Sequence, residues 1–588
     1  MKRWAALGAL IGGLAAPADA APARTSLTYA NSCQVEGAPA GSRCGTLHVP
    51  EDRSRAGSRR LALRLVVVPG EDPAPADPIV YIAGGPGESA VDALPLVLPT
   101  LRSVEPRRPI IFLDQRGTGG PGALHCPGLD LVAALSDARA LRACAAALQT
   151  RAGLDLYSST QAVADLEDLR AALGHRQVNL VGVSYGVRVA LLYMREHPLR
   201  VRAAILRAAY PLDYNIIADG TVAADAQLAQ LISDCERDRA CAGAYPKLRS
   251  QLAEVDDRLK HRPLNVPAHD DGGPLEQAAV TRELFQYLLL VMMQSSVSRQ
   301  YVPLLIATAA EEGLQAFAAQ VAQLRAGLSR FPVGMYFSVI CAEDAPRRPQ
   351  AAAAPSTLLG ASGEQLVRAC GAWPVRPQAA QLLAPFSSRV PTLIISGALD
   401  PVTPPGAAMR LASSMPMATH YIVPATAHGP MFPDCLRPKV AEFLRAAAAP
   451  PLGTACDATV LPPFALRVAA AVGPEAHDGR EAPASNVLTG TWDLEWRTSR
   501  GTSPGGYLVI SQKGARLEAQ LHGRGSIRAT GSIEGNRFTL RGSRLFVPYT
   551  LTGTLDGDSM EGTLKVLSVE RSFTGRRRPA GSATSKHR

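Results

Sequence analysis

The chain is 588 residues long, 47% hydrophobic and 19% charged, and its 61 Lys and Arg outnumber 51 Asp and Glu for a formal net charge of +10. That length calls for more than one compact unit with a sizeable core, which excludes a mini-protein held by disulfides alone, and 51 Gly and 47 Pro are too few for a low-complexity disordered chain. Beyond the N-terminal region no apolar run approaches the ~18 residues that span a bilayer, which excludes an integral transporter.

Lys2 and Arg3, an apolar stretch from Trp4 to Ala16, and Ala18-Asp19-Ala20 follow in the order of a secretory signal with an A-x-A cleavage site. Residues 1–20 are therefore expected to be removed, and the loss of Lys2, Arg3 and Asp19 would leave +9. A basic balance without a nucleic-acid motif fits an exported protein, periplasmic or secreted, better than a nucleic-acid binder. Ten cysteines follow the signal, an even number in five sequence-adjacent pairs, which in an oxidising compartment predicts disulfides 33–44, 126–144, 235–241, 341–370 and 435–456. No C-x-x-C is present, so no metal site is expected.

Short β-rich runs at Leu61 to Pro69, Pro78 to Ala83 and Pro109 to Asp114 end in turn residues and predict core strands. Ala162, Leu166, Leu169 and Leu173 recur at helical spacing, and the run from Val178 to Val183 is again a strand, so the pairing is parallel. Val201 to Leu206, Thr392 to Ser396 and Tyr421 to Val423 continue the series. Helical stretches lie at Val187 to Glu196, Gly406 to Ser414 and Pro438 to Ala448, which together predict an α/β sheet covered on both faces. Residues 212–385 interrupt it with Ala- and Leu-rich helical segments, such as Ala224 to Ile232, Glu283 to Met293 and Val302 to Leu324, and are expected to form a cap. The core thus divides into 21–211 and 386–470. A linker at 471–486 precedes a β-rich domain at 487–578, with hairpin signals at Gly535-Asn536 and Asp556-Gly557, and a basic tail at 579–588.

Gly182-Val183-Ser184-Tyr185-Gly186 places a serine between a strand and a helix, the setting in which a tight turn lifts the hydroxyl to the edge of the sheet. A second G-x-S-x-G, Gly501-Thr502-Ser503-Pro504-Gly505, reads as a loop of the β domain with no strand before it. Pro504 there lacks the N–H that an oxyanion needs. A serine hydroxyl needs an imidazole to take its proton and a carboxylate to orient that imidazole. Asp400, just beyond the strand PTLIISG, and His428, after the strand YIV, complete the order Ser, acid, His. Gly84 or Gly85 of the turn GGPG, with Tyr185, would supply the backbone donors for the oxyanion.

The set GGPG, DQRGTG (Asp114 to Gly119), GVSYG, ALDPVTP and the His loop resembles the α/β-hydrolase peptidases related to proline iminopeptidase, most closely the secreted tripeptidyl-aminopeptidase branch. CGTLHVPED at Cys44, TQAVADLEDLRAALG, CAEDAP at Cys341 and CGAWP at Cys370 fit that branch, and the likeness runs from about residue 30 to 450. It departs at Ala83, where proline iminopeptidases carry His, and at Arg207-Ala208, where related chains often carry Asp-Gly. The resemblance implies an α/β-hydrolase sheet with a helical cap, followed here by an all-β, barrel-like domain. It also implies a serine aminopeptidase that needs no cofactor and takes a peptide substrate. Such an enzyme must hold a protonated α-amine, and Glu343 and Asp344 are the carboxylates expected to do so, at the point where the cap returns to the core. A small-molecule esterase or amidase on the same scaffold is the alternative, and an inert binding protein a further one. The length of the released peptide, the oligomeric state and the role of the β domain are not specified.

Overall fold

The computed structural model describes residues 25–71, 77–268, 276–311, 314, 317–347, 358–429, 431–448, 456, 460–466, 488–498, 501–523, 525–544, 547–566 and 569–578. The expected signal, linker and basic tail lie outside the described residues. Eleven strands precede the C-terminal domain: β1 Ser26–Tyr29, β2 Arg43–Pro50, β3 Arg60–Val68, β4 Ile79–Ile82, β5 Ile110–Leu113, β6 Val178–Val183, β7 Val201–Arg207, β8 Leu264–Ala268, β9 Glu276–Val280, β10 Thr392–Gly397 and β11 Ala418–Val423. Nine of them form one sheet in the order β1-β2-β3-β5-β4-β6-β7-β10-β11. Pairing is antiparallel from β1 to β5 and parallel from β5 to β11.

The parallel centre is buried on both faces, as the continuous apolar runs IVYI and IIFL require. One face packs on helix Tyr185–Glu196, which buries Val187, Leu191 and Met194. The other packs on helices Ala90–Val104 and Arg437–Ala446 through Leu94, Leu101, Val440 and Phe443. Helix Ala90–Val104 has no counterpart among the expected elements. Pro95 and Pro99 within it remove two backbone donors, a sequence signal against a helix, yet its buried Leu94, Leu98 and Leu101 hold it on the sheet, and Ser89 caps it by accepting from Asp92 N at 2.9 Å.

The insertion between β7 and β10 is mainly helical, but it also contains the antiparallel pair β8–β9, which a purely helical reading omits. Val302–Ala310 and Ala318–Ser329 are two helices rather than one segment. All five disulfides join sequence neighbours, in the expected pairing. The C-terminal domain is a closed barrel of eight antiparallel strands from Gly490–Thr498 to Val569–Arg577. Trp492, Leu508, Ile510, Phe538, Leu540 and Phe573 fill its interior. Gly535 and Gly557 adopt φ +58° between consecutive strands, the left-handed backbone that makes glycine the residue of choice at such turns. The second G-x-S-x-G lies within the barrel strand Gly501–Lys513, not in a loop, paired antiparallel with the strand before it. No helix follows it, so it has none of the strand-to-helix geometry of Ser184. Among the described residues no helix is long and apolar enough to cross a membrane.

Candidate active site

Ser184 stands between β6 and helix Tyr185–Glu196 with φ 54° and ψ −122°, a left-handed conformation that a serine adopts only where its surroundings enforce it. The flanking glycines do so by allowing close approach. A Cβ on Gly182 would lie 2.7 Å from the Gly186 carbonyl oxygen, and one on Gly186 only 2.2 Å from the Ile82 carbonyl oxygen. The nucleophile helix is thereby pressed onto the end of β4, beside the turn Gly84-Gly85-Pro86-Gly87.

Asp400 follows β10 and is fully buried. Its Oδ1 accepts from the N–H groups of Val402 and Thr403, both at 2.9 Å, and its Oδ2 accepts from Thr403 Oγ1 at 2.9 Å. His428 Nδ1 lies 2.8 Å from Asp400 Oδ2 and 3.0 Å from Oδ1. Burial alone would raise the Asp400 carboxyl, but His428, the buried Arg207 and the Thr403 N–H outweigh it and hold the group below the ordinary carboxylate range. An ionised carboxylate so placed fixes the imidazole with Nδ1 protonated, which leaves Nε2 free to accept a proton.

Arg207 ends β7, is inaccessible to solvent, and donates through Nη2 to the Ala427 carbonyl at 2.8 Å. Burial lowers its guanidinium to about 10, against the pull of Asp400. It therefore braces the loop that carries His428, at the position where related chains often carry Asp. Neighbouring Ala208 has φ 55°, the conformation that favours the Gly often found there.

Ser184 and His428 open onto one cavity of about 290 Å³ between the sheet edge and the helical insertion. Its wall is largely apolar, with Leu131, Ile216, Leu290 and Leu366 among its residues. Glu343 and Asp344, the expected amine-binding pair, are not in that wall. Both are buried behind the nucleophile helix: Arg188 Nη1 donates to Glu343 Oε2 at 3.1 Å and to Asp344 Oδ2 at 2.8 Å, and Arg188 Nη2 donates to Asp344 Oδ1 at 2.9 Å. Glu343 further accepts from Ser159 N and Ser159 Oγ, both at 2.7 Å. Their charge is thus spent on an internal arginine, a partner 155 residues away in sequence for Glu343 that no local pattern reveals.

The carboxylates that do border the cavity are Glu88 and Glu283. Glu283 Oε1 accepts from Gln365 Nε2 at 3.0 Å. Glu88 follows the GGPG turn, and its Oε2 accepts from Gly84 N at 3.2 Å. Desolvation by the surrounding protein pushes its carboxyl up, partly offset by His428; the half-buried Tyr287 is raised to about 12 chiefly by desolvation, with the charge of Glu88 adding to it. Sequence reading passed over Glu88, although its place directly after a Pro-containing turn at a strand end was a usable signal.

The model of the alpha/beta hydrolase fold matches residues 77–434, more than half of the chain. Serine protease Hip1 of Mycobacterium tuberculosis is 26% identical over 518 residues, covering 77% of this chain and 97% of that protein, and the Mycobacterium bovis protein of the same name matches to the same extent. Among solved structures, a meta-cleavage product hydrolase from Pseudomonas fluorescens is 14% identical and covers 66% of this chain and 95% of its own, with a TM-score of 0.32. A thermophilic esterase from Thermogutta terrifontis is 16% identical, with coverages of 68% and 98% and a TM-score of 0.30.

Proposed function

Since the chain belongs to the alpha/beta hydrolase fold family, we propose that it is an exported serine exopeptidase that removes short peptides or single residues from free N-termini through an acyl-enzyme. The observation that carries this reading is the pairing of His428 with Asp400 at 2.8 Å on a cavity that also exposes Ser184 at its strained turn. Ser184 Oγ attacks the scissile carbonyl as His428 Nε2 takes its proton, and the same imidazole then protonates the leaving amine. Water, deprotonated by His428, releases the acyl group.

The negative oxygen of each tetrahedral intermediate needs two N–H donors. Tyr185 N, at the first position of the nucleophile helix, is one. Of the two glycines expected for the other, Gly84 already donates to Glu88, so Gly85 is the donor we assign. The serine hydrolase chemistry is supported by family membership and by the likeness to serine protease Hip1. The aminopeptidase specificity is supported by the resemblance of GGPG, GVSYG and ALDPVTP to proline iminopeptidase relatives and by carboxylates on the cavity wall. Five disulfides suit an oxidising compartment, in keeping with export.

Profiling the purified protein against a peptide library with free and acetylated N-termini, alongside labelling with a fluorophosphonate, tests the reading. Phosphonate labelling with cleavage confined to free N-termini is expected. Labelling with turnover of short-chain esters alone would replace the peptidase by the esterase, and absence of labelling would leave a binding protein.

A further inference from the structure

Resting on the exopeptidase reading, we infer that Glu88 is the group that holds the substrate's α-ammonium, and that its closeness to Ser184 limits the released unit to a single N-terminal residue. Three observations converge on Glu88. Its side chain opens onto the cavity that contains Ser184 and His428. Among the described residues no Lys or Arg is within ion-pair distance of it, and the one hydrogen bond to its carboxylate there is the 3.2 Å contact from Gly84 N. A solvent-accessible carboxylate on the cavity wall with one neutral donor has unused acceptor sites, and a cation satisfies them best.

The third observation sets the length. A Cβ built on Gly84 would meet Glu88 Oε2 and Ser184 Cβ, each at 3.2 Å, so the carboxylate and the nucleophilic side chain flank the same glycine. Within one residue the α-nitrogen lies about 2.5 Å from its own carbonyl carbon, and each further extended residue adds about 3.3 to 3.6 Å. A substrate whose first carbonyl sits at Ser184 Oγ therefore brings its ammonium to Glu88. A tripeptidyl acyl group would carry its ammonium about 7 Å farther along the cavity, out of reach of this carboxylate. Glu283 also borders the cavity and also accepts from one neutral donor, Gln365 Nε2; what distinguishes Glu88 is that it flanks the glycine that packs on Ser184.

The test compares wild type, Glu88→Gln and Glu88→Asp on aminoacyl and tripeptidyl arylamides, each with a free or an acetylated N-terminus. Gln keeps an acceptor for Gly84 N–H, so the turn is retained while the charge is removed. The readout is the ratio of kcat/KM for the free over the acetylated aminoacyl substrate. We expect that ratio to be large in wild type, to fall by roughly tenfold or more in Glu88→Gln, and to be largely kept in Glu88→Asp. Wild type should also prefer aminoacyl to tripeptidyl arylamides, and an amino acid alkylamide should inhibit it more strongly than the acetylated alkylamide, a measurement that needs no variant. An unchanged ratio in Glu88→Gln overturns the assignment of Glu88, and a wild-type preference for tripeptidyl substrates overturns the single-residue limit. If wild type itself does not distinguish free from acetylated substrates, the exopeptidase reading fails, and the wild-type data alone make that separate from a failure of Glu88.

Discussion

Arg188 grips both carboxylate oxygens of Asp344, at 2.8 and 2.9 Å, and so joins the nucleophile helix to the end of helix Val333–Glu343 where the insertion returns to the core. Both side chains are inaccessible to solvent. Removing one partner leaves the other charge buried without its best counter-ion, a loss of about 3 to 5 kcal/mol for pairs of this kind. Asp344→Asn should therefore lower thermal stability markedly and reduce turnover of free-amine and ester substrates alike. Selective loss on free-amine substrates would return Asp344 to a direct role in amine binding.

Ser184→Ala should abolish turnover and phosphonate labelling without loss of fold, since it deletes one hydroxyl and opens no large cavity. Asp400→Asn should lower kcat by several powers of ten, because the imidazole loses the carboxylate that fixes its protonated nitrogen. Circular dichroism and intact-mass labelling check both outcomes. Labelling that survives Ser184→Ala would direct the search to another nucleophile.

Gly186→Ala places a methyl group 2.2 Å from the Ile82 carbonyl oxygen and 2.9 Å from that of Ala83, with backbone on the opposing side that cannot swing away. The helix must move off β4, at an expected cost of about 1 to 3 kcal/mol, and kcat should fall with it as the Gly84-Gly85 turn separates from Ser184. Gly243→Ala is the comparison: nothing lies within 4 Å of its Cβ, in helix Arg239–Ala244, and a gain of about 0.5 to 1 kcal/mol is expected. Equal melting temperatures for the two variants would contradict this account of the elbow.

His420 on β11 lies 2.6 Å from Ser396 Oγ through Nε2, and burial lowers it to about 4 from an ordinary 6.5. The folded chain thus holds a neutral imidazole that the unfolded chain protonates below 6.5. The contribution is complete above 6.5, is lost as the pH falls from 6.5 towards 4, and changes little below that. Chemical denaturation across this window should give a shallower decline for His420→Gln than for wild type. Parallel curves would show that other groups govern acid stability.

Parallel strands announced themselves because strands buried on both faces are written as unbroken Val, Ile and Leu runs, as in Val178 to Val183 and Thr392 to Ser396. The positions of Ser184, Asp400 and His428 were legible for a related reason, since each sits past the C-terminal end of such a strand. Helix Ala90–Val104 was not, because its prolines mask a helical stripe that only packing on the sheet rewards. The pair β8–β9 was hidden within an Ala-rich stretch, where local composition does not separate a ladder from a helix.

By itself the sequence determined the order of the parallel core strands, the neighbour-to-neighbour disulfides and the three residues proposed to carry out hydrolysis, because each depends on local periodicity or on spacing along the chain. Only the tertiary structure decided which acidic residues border the cavity that Ser184 and His428 line. Glu343 and Asp344 read as the carboxylates of an amine-binding site, yet Arg188 reaches them from a distant helix and neutralises them. Glu88 reads as one more turn residue, yet the fold leaves it on the cavity wall beside Ser184 with no Lys or Arg within ion-pair distance among the described residues. The physical reason is that a carboxylate's availability depends on which charges surround it in space, and a linear chain does not record that.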